Sequence, residues 1–80
     1  MTLFALECYV PGLSDGDIDR AIARIRGGPE RAALGCLVFP DDDVMFFVVA
    51  ARDQATAREI AERAGVRPDR VAACRVVIAS

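Results

Sequence analysis

The chain has 80 residues, a formal net charge of −2 and an apolar content of 54%, which together predict a single small globular domain covering residues 1–80 and exclude a disordered chain. Its longest apolar run, Val44 to Ala51, has eight residues, whereas about 20 are needed to span a bilayer, so no membrane association is expected. All ten basic residues are arginines interleaved with twelve acidic residues, which excludes the basic stripe that nucleic acid requires.

The absence of histidine removes the commonest general base and the commonest transition-metal ligand together. The three cysteines, Cys8, Cys36 and Cys74, are far apart and odd in number, which is typical of reduced thiols in a core. The first residues lack the basic region of a signal peptide. We therefore expect a cytoplasmic protein, and the cofactor, if there is one, is unknown.

The first strand is predicted over Thr2–Val10 and is closed by a proline and a glycine. Helix one then begins with Ser14 as N-cap and Asp17 reaching back to it, the pattern of a capping box. Residues at helical spacing predict the stripe that faces the core: Ile18, Ala21, Ile22 and Ile25.

The run Gly27, Gly28, Pro29 is predicted to break or kink helix one. Pro29 to Leu34 could form a second short helical piece that ends at Gly35. Strand two follows at Cys36–Phe39. A hairpin turn that includes Asp41, Asp42 and Asp43 leads into strand three, the apolar run Val44–Ala51.

Helix two is predicted to begin at the N-cap Asp53 and to end at Gly65 in a Schellman motif. Its core stripe is Ala57, Ile60, Ala61 and Ala64. Strand four is predicted from about Arg70 to Ala79. The resulting order is β-α-β-β-α-β, the ferredoxin-like arrangement, an α+β fold with a four-stranded antiparallel sheet in the order 4-1-3-2 and both helices on one face.

A strand that is apolar at every position needs cover on both faces, and two helices shield only one face of the sheet. We therefore expect the helix-free side to meet a second copy of the chain, as in a dimeric α+β barrel. The small size of the domain also favours oligomerisation, because a chain of this length buries only a marginal core on its own.

Alternation along strand one places Phe4, Leu6, Cys8 and Val10 towards the helices and leaves Glu7 and Tyr9 on the helix-free side. On strand four, Ala72, Cys74, Val76 and Ile78 form the row assigned to the helices. A register that pairs Glu7 with Arg75 would also pair Cys8 with Cys74. Two readings of this cluster are open: Glu7, Tyr9 and Arg75 bind a small ligand between two sheets, or Glu7 and Arg75 form an ion pair at a dimer interface.

Two further clusters have a functional and a structural interpretation. The acidic run Asp41, Asp42, Asp43 could bind a hard cation, but it lacks the spacing of a calcium loop, and we interpret it as a solvated hairpin tip. Cys8 and Cys74 could form a disulfide or bind a soft metal; we interpret them as reduced core residues.

The segments FALECYVPGLSDGDID and REIAERAGVRPDRV, with the strand and helix order between them, resemble a family of small bacterial ferredoxin-like proteins of unknown function that includes a nickel-binding protein. The shared positions are structural, namely Pro11, Gly12, Gly65 and Pro68. The resemblance implies a homodimer that packs sheet against sheet, and it implies Glu7 as a ligand residue. The chain departs from the nickel-binding kind in strands two and three, where Phe46 to Ala50 are apolar, so we assign no metal ligand.

Three functional hypotheses follow. The first is a non-enzymatic homodimer that binds a small molecule, or a metal, between its sheets. The second is a structural or protein-interaction module without a ligand. The third is an enzyme similar to the dimeric α+β barrel monooxygenases, which would enclose an aromatic substrate between the sheets. Its only polar candidates are Tyr9, Glu7 and Arg75, which form no recognisable acid/base pair, so we assign no catalytic residue.

Overall fold

The computed structural model describes residues 1–27 and 33–79, with the backbone alone described at 25–27 and 33. In chain order the elements are β1 (Thr2–Tyr9), α1 (Asp15–Gly27), β2 (Ala33–Phe39), a 3-10 turn (Pro40–Asp42), β3 (Val44–Ala51), α2 (Gln54–Arg63) and β4 (Arg70–Cys74). The strands form one antiparallel sheet in the order β2-β3-β1-β4. This is the predicted strand order read from the other edge, and the α+β class and its ferredoxin-like arrangement are confirmed.

One face of the sheet packs against both helices and forms the core. Alternate residues of β1 and β3 are buried there, whereas their neighbours are partly exposed, as the period of a strand requires. The buried core consists of Phe4, Leu6, Cys8, Ala21, Met45, Phe47, Val49, Ala51, Ala57, Ile60, Ala61, Val66 and Val71. The prediction for β1 is therefore confirmed, and the structure separates the two rows of β3 that polarity leaves indistinguishable.

Both helices begin at their predicted caps. At α1, the Ser14 backbone N–H donates to Asp17 Oδ2 at 3.0 Å, and the Asp17 N–H donates to Ser14 Oγ at 3.3 Å, which is the reciprocal geometry of a capping box. At α2, the Thr56 N–H donates to Asp53 Oδ1 at 2.8 Å. These hydrogen bonds satisfy amide groups that a helix leaves unpaired at its amino end.

The predicted end of α2 is also confirmed. Gly65 has a φ of +70°, and the Val66 N–H reaches back to the Ala61 carbonyl at 2.8 Å, as in a Schellman motif. Val66 is then buried beside the helix. A left-handed glycine thus turns the chain and directs the next apolar side chain into the core.

Three predictions for the first half of the chain are not confirmed: two are wrong at least in part, and one concerns a side chain outside the described residues. Ile22 of the predicted core stripe is 40% exposed, because α1 buries a narrower stripe centred on Ala21. The Ile25 side chain lies outside the described residues. The second helical piece is wrong at its end, since Ala33 and Leu34 belong to β2, which begins three residues earlier than predicted; the rest of that piece, 29–32, lies outside the described residues.

The predicted register of β4 is wrong, and its predicted length is too great. Glu7 lies opposite Arg70, and Leu3 lies opposite Cys74, a shift of five residues from the predicted pairing. Because five is odd, every side chain of β4 changes face. Ala72 and Cys74 therefore lie on the helix-free side, and Val71 is buried instead.

The physical reason is that backbone bonds and core burial outweigh one surface ion pair. The Asp69 N–H donates to the Glu7 carbonyl at 2.7 Å, which fixes the start of β4 beside Glu7. The observed register also buries Val71, whose carbonyl accepts a hydrogen bond from Gln54 Nε2 at 3.3 Å. The predicted pairing would move Asp69 away from Glu7 and would give up both of these hydrogen bonds, while an exposed ion pair contributes about 1 kcal/mol or less.

Candidate functional site

The side of the sheet away from the helices, termed here the open face, is almost entirely apolar. Its residues share the strand alternation opposite to that of the core: Leu3, Ala5, Glu7 and Tyr9 of β1, Gly35, Leu37 and Phe39 of β2, Val44, Phe46, Val48 and Ala50 of β3, and Arg70, Ala72 and Cys74 of β4. Leu37 and Phe39 are 58% and 44% exposed. An apolar surface that is continuous over four strands is typical of an interaction site.

Glu7 and Arg70 are the two charged residues of the open face, and they lie directly opposite each other on β1 and β4. Residues paired in this way have Cβ atoms about 5 Å apart. No ion pair joins the two side chains in the described chain. A carboxylate and a guanidinium are therefore available side by side within an apolar surrounding.

The predicted site residues are thus only partly brought together. Glu7 and Tyr9 lie on the open face, and Tyr9, the last residue of β1, is 58% exposed. Arg75 does not join them, because it follows the last residue of β4, five positions from Arg70, or about 16 Å at the rise of a strand. Arg70 occupies the place assigned to Arg75, and only the register could have identified it.

The open face has a relief that follows from the register. Leu37, Phe46, Glu7 and Arg70 form one row across the four strands, and Gly35, Val48, Ala5 and Ala72 form the next. The second row carries much smaller side chains than the first. A shallow trough therefore runs across the sheet beside the charged pair.

Two aromatic side chains lie on β2 and β3, on the side of Glu7 away from Arg70. Phe39 and Phe46 pack edge to face, with ring centroids 5.7 Å apart and an interplanar angle of 82°, a favoured aromatic geometry. This pair forms a raised apolar wall on β2 and β3. The open face thus has an apolar side at β2 and a charged side at β4.

Two aspartates, Asp43 of the acidic run and Asp69 of the loop before β4, hold the end of β1 in place through contacts that the sequence did not predict. Asp69 accepts a hydrogen bond from the Tyr9 N–H at 2.7 Å. Asp43 accepts from the N–H groups of Gly12 and Leu13, each at 3.2 Å. These contacts position the part of β1 that presents Glu7 and Tyr9.

The acidic run therefore divides into two kinds of residue. Asp41 and Asp42 are exposed, as predicted for a hairpin tip, whereas Asp43 binds the loop after β1. Asp43 has a φ of 55°, a left-handed conformation in which aspartate and asparagine are enriched. The sequence signal that could have separated Asp43 from its neighbours is its place at the end of a tight turn, directly before the apolar run of β3.

The predicted contact between Cys8 and Cys74 is wrong, because the two residues lie on opposite faces of the sheet. Cys8 is buried among the core residues, and burial raises the pKa of its thiol to about 11. Burial also raises the pKa of the Cys36 thiol. Since the thiolate is the reactive form, Cys8 is an inert core residue, whereas Cys74 lies on the open face opposite Leu3.

Two cavities of the described chain lie away from the open face. A groove of about 760 Å³ follows the end of α2 and is lined by Arg58, Glu62, Gly65, Val66, Arg67 and Pro68. A void of about 30 Å³ lies between the helices and the sheet, against Leu6 and Ile60. A single chain thus offers no enclosed site beside Glu7 and Arg70 among these cavities, so enclosure there requires a second layer.

Within residues 1–27 and 33–79, no three cysteine or acidic side chains gather closely enough to hold a metal ion. In the same part of the chain, every helix is too short or too polar to cross a bilayer.

Comparison with protein-family models found no matching family, and neither curated proteins nor solved structures gave a match. The resemblance to nickel-binding ferredoxin-like proteins therefore stays a prediction.

Proposed function

We propose that this protein is a cytoplasmic homodimeric binding module in which two open faces pack against each other and enclose a small organic anion beside Glu7 and Arg70. The observation that carries the proposal is the placement of one carboxylate and one guanidinium in register within an apolar sheet face. Ligand sites commonly combine apolar walls with a few polar groups that fix orientation. The free cysteines support a reducing compartment.

A second copy is the partner that best suits the open face. A two-fold axis duplicates every residue of the interface, so a face with one acid and one arginine becomes complementary in charge to itself. The Glu7 of one protomer can then face the Arg70 of the other. The apolar remainder of both faces is removed from water at the same time.

The ligand class follows from the groups available. Packed sheets lie about 10 Å apart. The row of small side chains beside Glu7 and Arg70 fills less of the space between the two sheets than the neighbouring row does, so the largest gap lies there. A guanidinium binds a carboxylate or phosphate group through two parallel hydrogen bonds. An anion with a compact apolar body therefore suits this space, with Arg70 holding the anionic group and Glu7 orienting Arg70.

The first experiment tests the homodimer. Sedimentation velocity at micromolar concentration should find a dimer for the natural chain and for Ile22→Arg, which adds a charge to the exposed side of α1. Val48→Arg should be monomeric, because it places a charge in the middle of the open face. A monomer for the natural chain, or a dimer for Val48→Arg, contradicts the proposal.

The second experiment tests the ligand site with aromatic carboxylates, for example benzoate and phenylacetate, in thermal-shift assays. A ligand present at 100 times its dissociation constant stabilises the folded state by about 2.7 kcal/mol. The shift should vanish in Arg70→Ala and persist in Arg75→Ala, its matched control outside the open face. Equal shifts in both variants would place binding elsewhere.

One observation favours a second candidate, a structural or protein-interaction module without a ligand. Because Glu7 and Arg70 lie opposite each other, they can neutralise one another across a dry dimer interface. A dimer that no ligand stabilises and whose affinity falls in Arg70→Ala would support this candidate. The monooxygenase-like alternative stays an untested prediction.

A further inference from the structure

The segment after β4, residues 75–79 and termed here the arm, is the most exposed apolar stretch of the described chain. It forms no helix or strand, and Val76, Val77 and Ile78 are 62%, 82% and 85% exposed. Three consecutive exposed apolar residues are uncommon on a soluble surface unless they meet a partner. The arm therefore needs an explanation beyond the fold of one chain.

The register explains why the arm has no cover within its own sheet. Cys74 lies opposite Leu3, so Arg75 falls opposite Thr2, the first residue of β1. No residue of β1 remains to pair with Val76 or Ile78. The arm thus projects beyond the sheet at the β4 edge.

Alternation assigns a side to the arm. Arg70, Ala72 and Cys74 lie on the open face. If the arm keeps the extended course of β4 when a partner covers it, the same alternation places Val76 and Ile78 on that side. Val77 then points to the other side. The arm consequently lengthens the apolar row of the open face without a break in its sequence pattern.

The size of the open face leaves room for this extension to contribute to an interface. Four strands at about 4.8 Å and seven residues at about 3.3 Å give a projected area of roughly 440 Å². A stable interface buries about 800 Å² of accessible surface on each partner. Side-chain relief supplies part of the difference, and the arm is the adjoining apolar surface that can supply more.

From this placement we infer that the arm belongs to the same interface as the open face, with Val76 and Ile78 of each protomer packing against the second copy. The inference rests on the proposed homodimer and adds a segment of the chain that the sheet itself does not hold. Because the arm lies outside the core, changing it leaves the folded monomer intact. The contribution of the arm is therefore measured as a change in the dissociation constant of the dimer.

The test compares Val76→Asp and Ile78→Asp with Val77→Asp as the matched control. Each of the first two should raise the dissociation constant of the dimer about tenfold or more, as expected for a buried interface residue, whereas the control should change it about twofold or less. A chain ended after Arg75 should weaken the dimer at least as much as either single change. Sedimentation equilibrium gives the constants, and far-UV circular dichroism verifies that all variants are folded.

Different failures have different meanings. A natural chain that is monomeric overturns both the proposed homodimer and the role of the arm. A dimer that is unaffected by Val76→Asp, Ile78→Asp and the shortened chain overturns the role of the arm alone. Equal weakening by all three aspartate variants contradicts the alternation, and arm-dependent binding of a monomer to phosphatidylglycerol vesicles would assign the arm to a lipid surface instead.

Discussion

Replacing Asp43 by alanine tests whether the hydrogen bonds of this residue hold the turn between β2 and β3 against the loop after β1. The change removes the acceptors for the N–H groups of Gly12 and Leu13, each bond contributing about 1 kcal/mol. It also places alanine at a φ of 55°, which costs about 1 kcal/mol more. The expected loss in the free energy of unfolding is therefore about 3 kcal/mol.

Two other substitutions at this position separate the contributions. Asp43→Gly removes the hydrogen bonds but relieves the backbone strain, so it should be about 1 kcal/mol less destabilising than the alanine variant. Asp43→Asn tolerates the left-handed conformation but has one acceptor oxygen for two donors, so it should be milder still. The expected order of stability is aspartate, asparagine, glycine, alanine.

Urea unfolding followed by circular dichroism measures these differences, with thermal midpoints shifting by about 4–8 °C for each kcal/mol at this chain length. Asp41→Ala and Asp42→Ala are the matched controls, because both residues are exposed members of the same acidic run; each should change stability by about 0.5 kcal/mol or less. If Asp43→Ala costs no more than these controls, the hydrogen bonds do not hold the two loops together. If glycine costs as much as alanine, the strain argument is wrong.

Three further predictions concern the ends of α2 and the core thiol. Gly65→Ala should lower the free energy of unfolding by about 1 kcal/mol through its positive φ alone, since an added Cβ meets no atom within 4 Å. The control is Gly35→Ala, which has equal space and an ordinary φ. Equal urea midpoints for the two variants would contradict this account. Hydrogen bonds from the Thr56 hydroxyl and N–H lower the pKa of Asp53 below its ordinary 3.8. The ionised Asp53 cap therefore stabilises the fold above that value, and this stabilisation is lost as the pH falls through the lowered pKa. The difference in thermal midpoint between the natural chain and Asp53→Ala should be full at pH 7 and should disappear in strong acid. A difference that stays constant with pH would refute the role of the Asp53 carboxylate. Because burial raises the pKa of Cys8 to about 11, an aromatic disulfide reagent should label this thiol only after unfolding, and Cys8→Ala should leave the number of fast-reacting native thiols unchanged.

The elements that sequence predicts well in this chain are those set by local chemistry. The capping box of Ser14 and Asp17, the cap at Asp53 and the left-handed turn at Gly65 each depend on a few neighbouring residues. The strand order also follows from local patterns, because only a few topologies connect two helices and four strands of these lengths. The faces of β1 could be assigned because Glu7 and Tyr9 interrupt its outward row.

The faces of β3 and β4 could not be assigned in the same way. β3 is apolar at every position, so its sequence carries no alternation to read. In β4 both rows are largely apolar, and an odd shift in register exchanges them at little local cost. The contact of Asp69 with Glu7 and the burial of Val71 decide the register, and both depend on parts of the chain about 60 residues apart in sequence, a separation that local propensity does not cover.

The amino-acid sequence by itself determined the class of fold, the caps, the apolar character of the helix-free side and the membership of Glu7 and Tyr9 in that side. Only the tertiary structure decided that Arg70 rather than Arg75 stands beside Glu7, and that Val76 to Ile78 extend beyond the sheet instead of completing β4. The physical reason is that side-chain chemistry sets what each segment can form. Which arginine meets which glutamate is set by long-range backbone pairing.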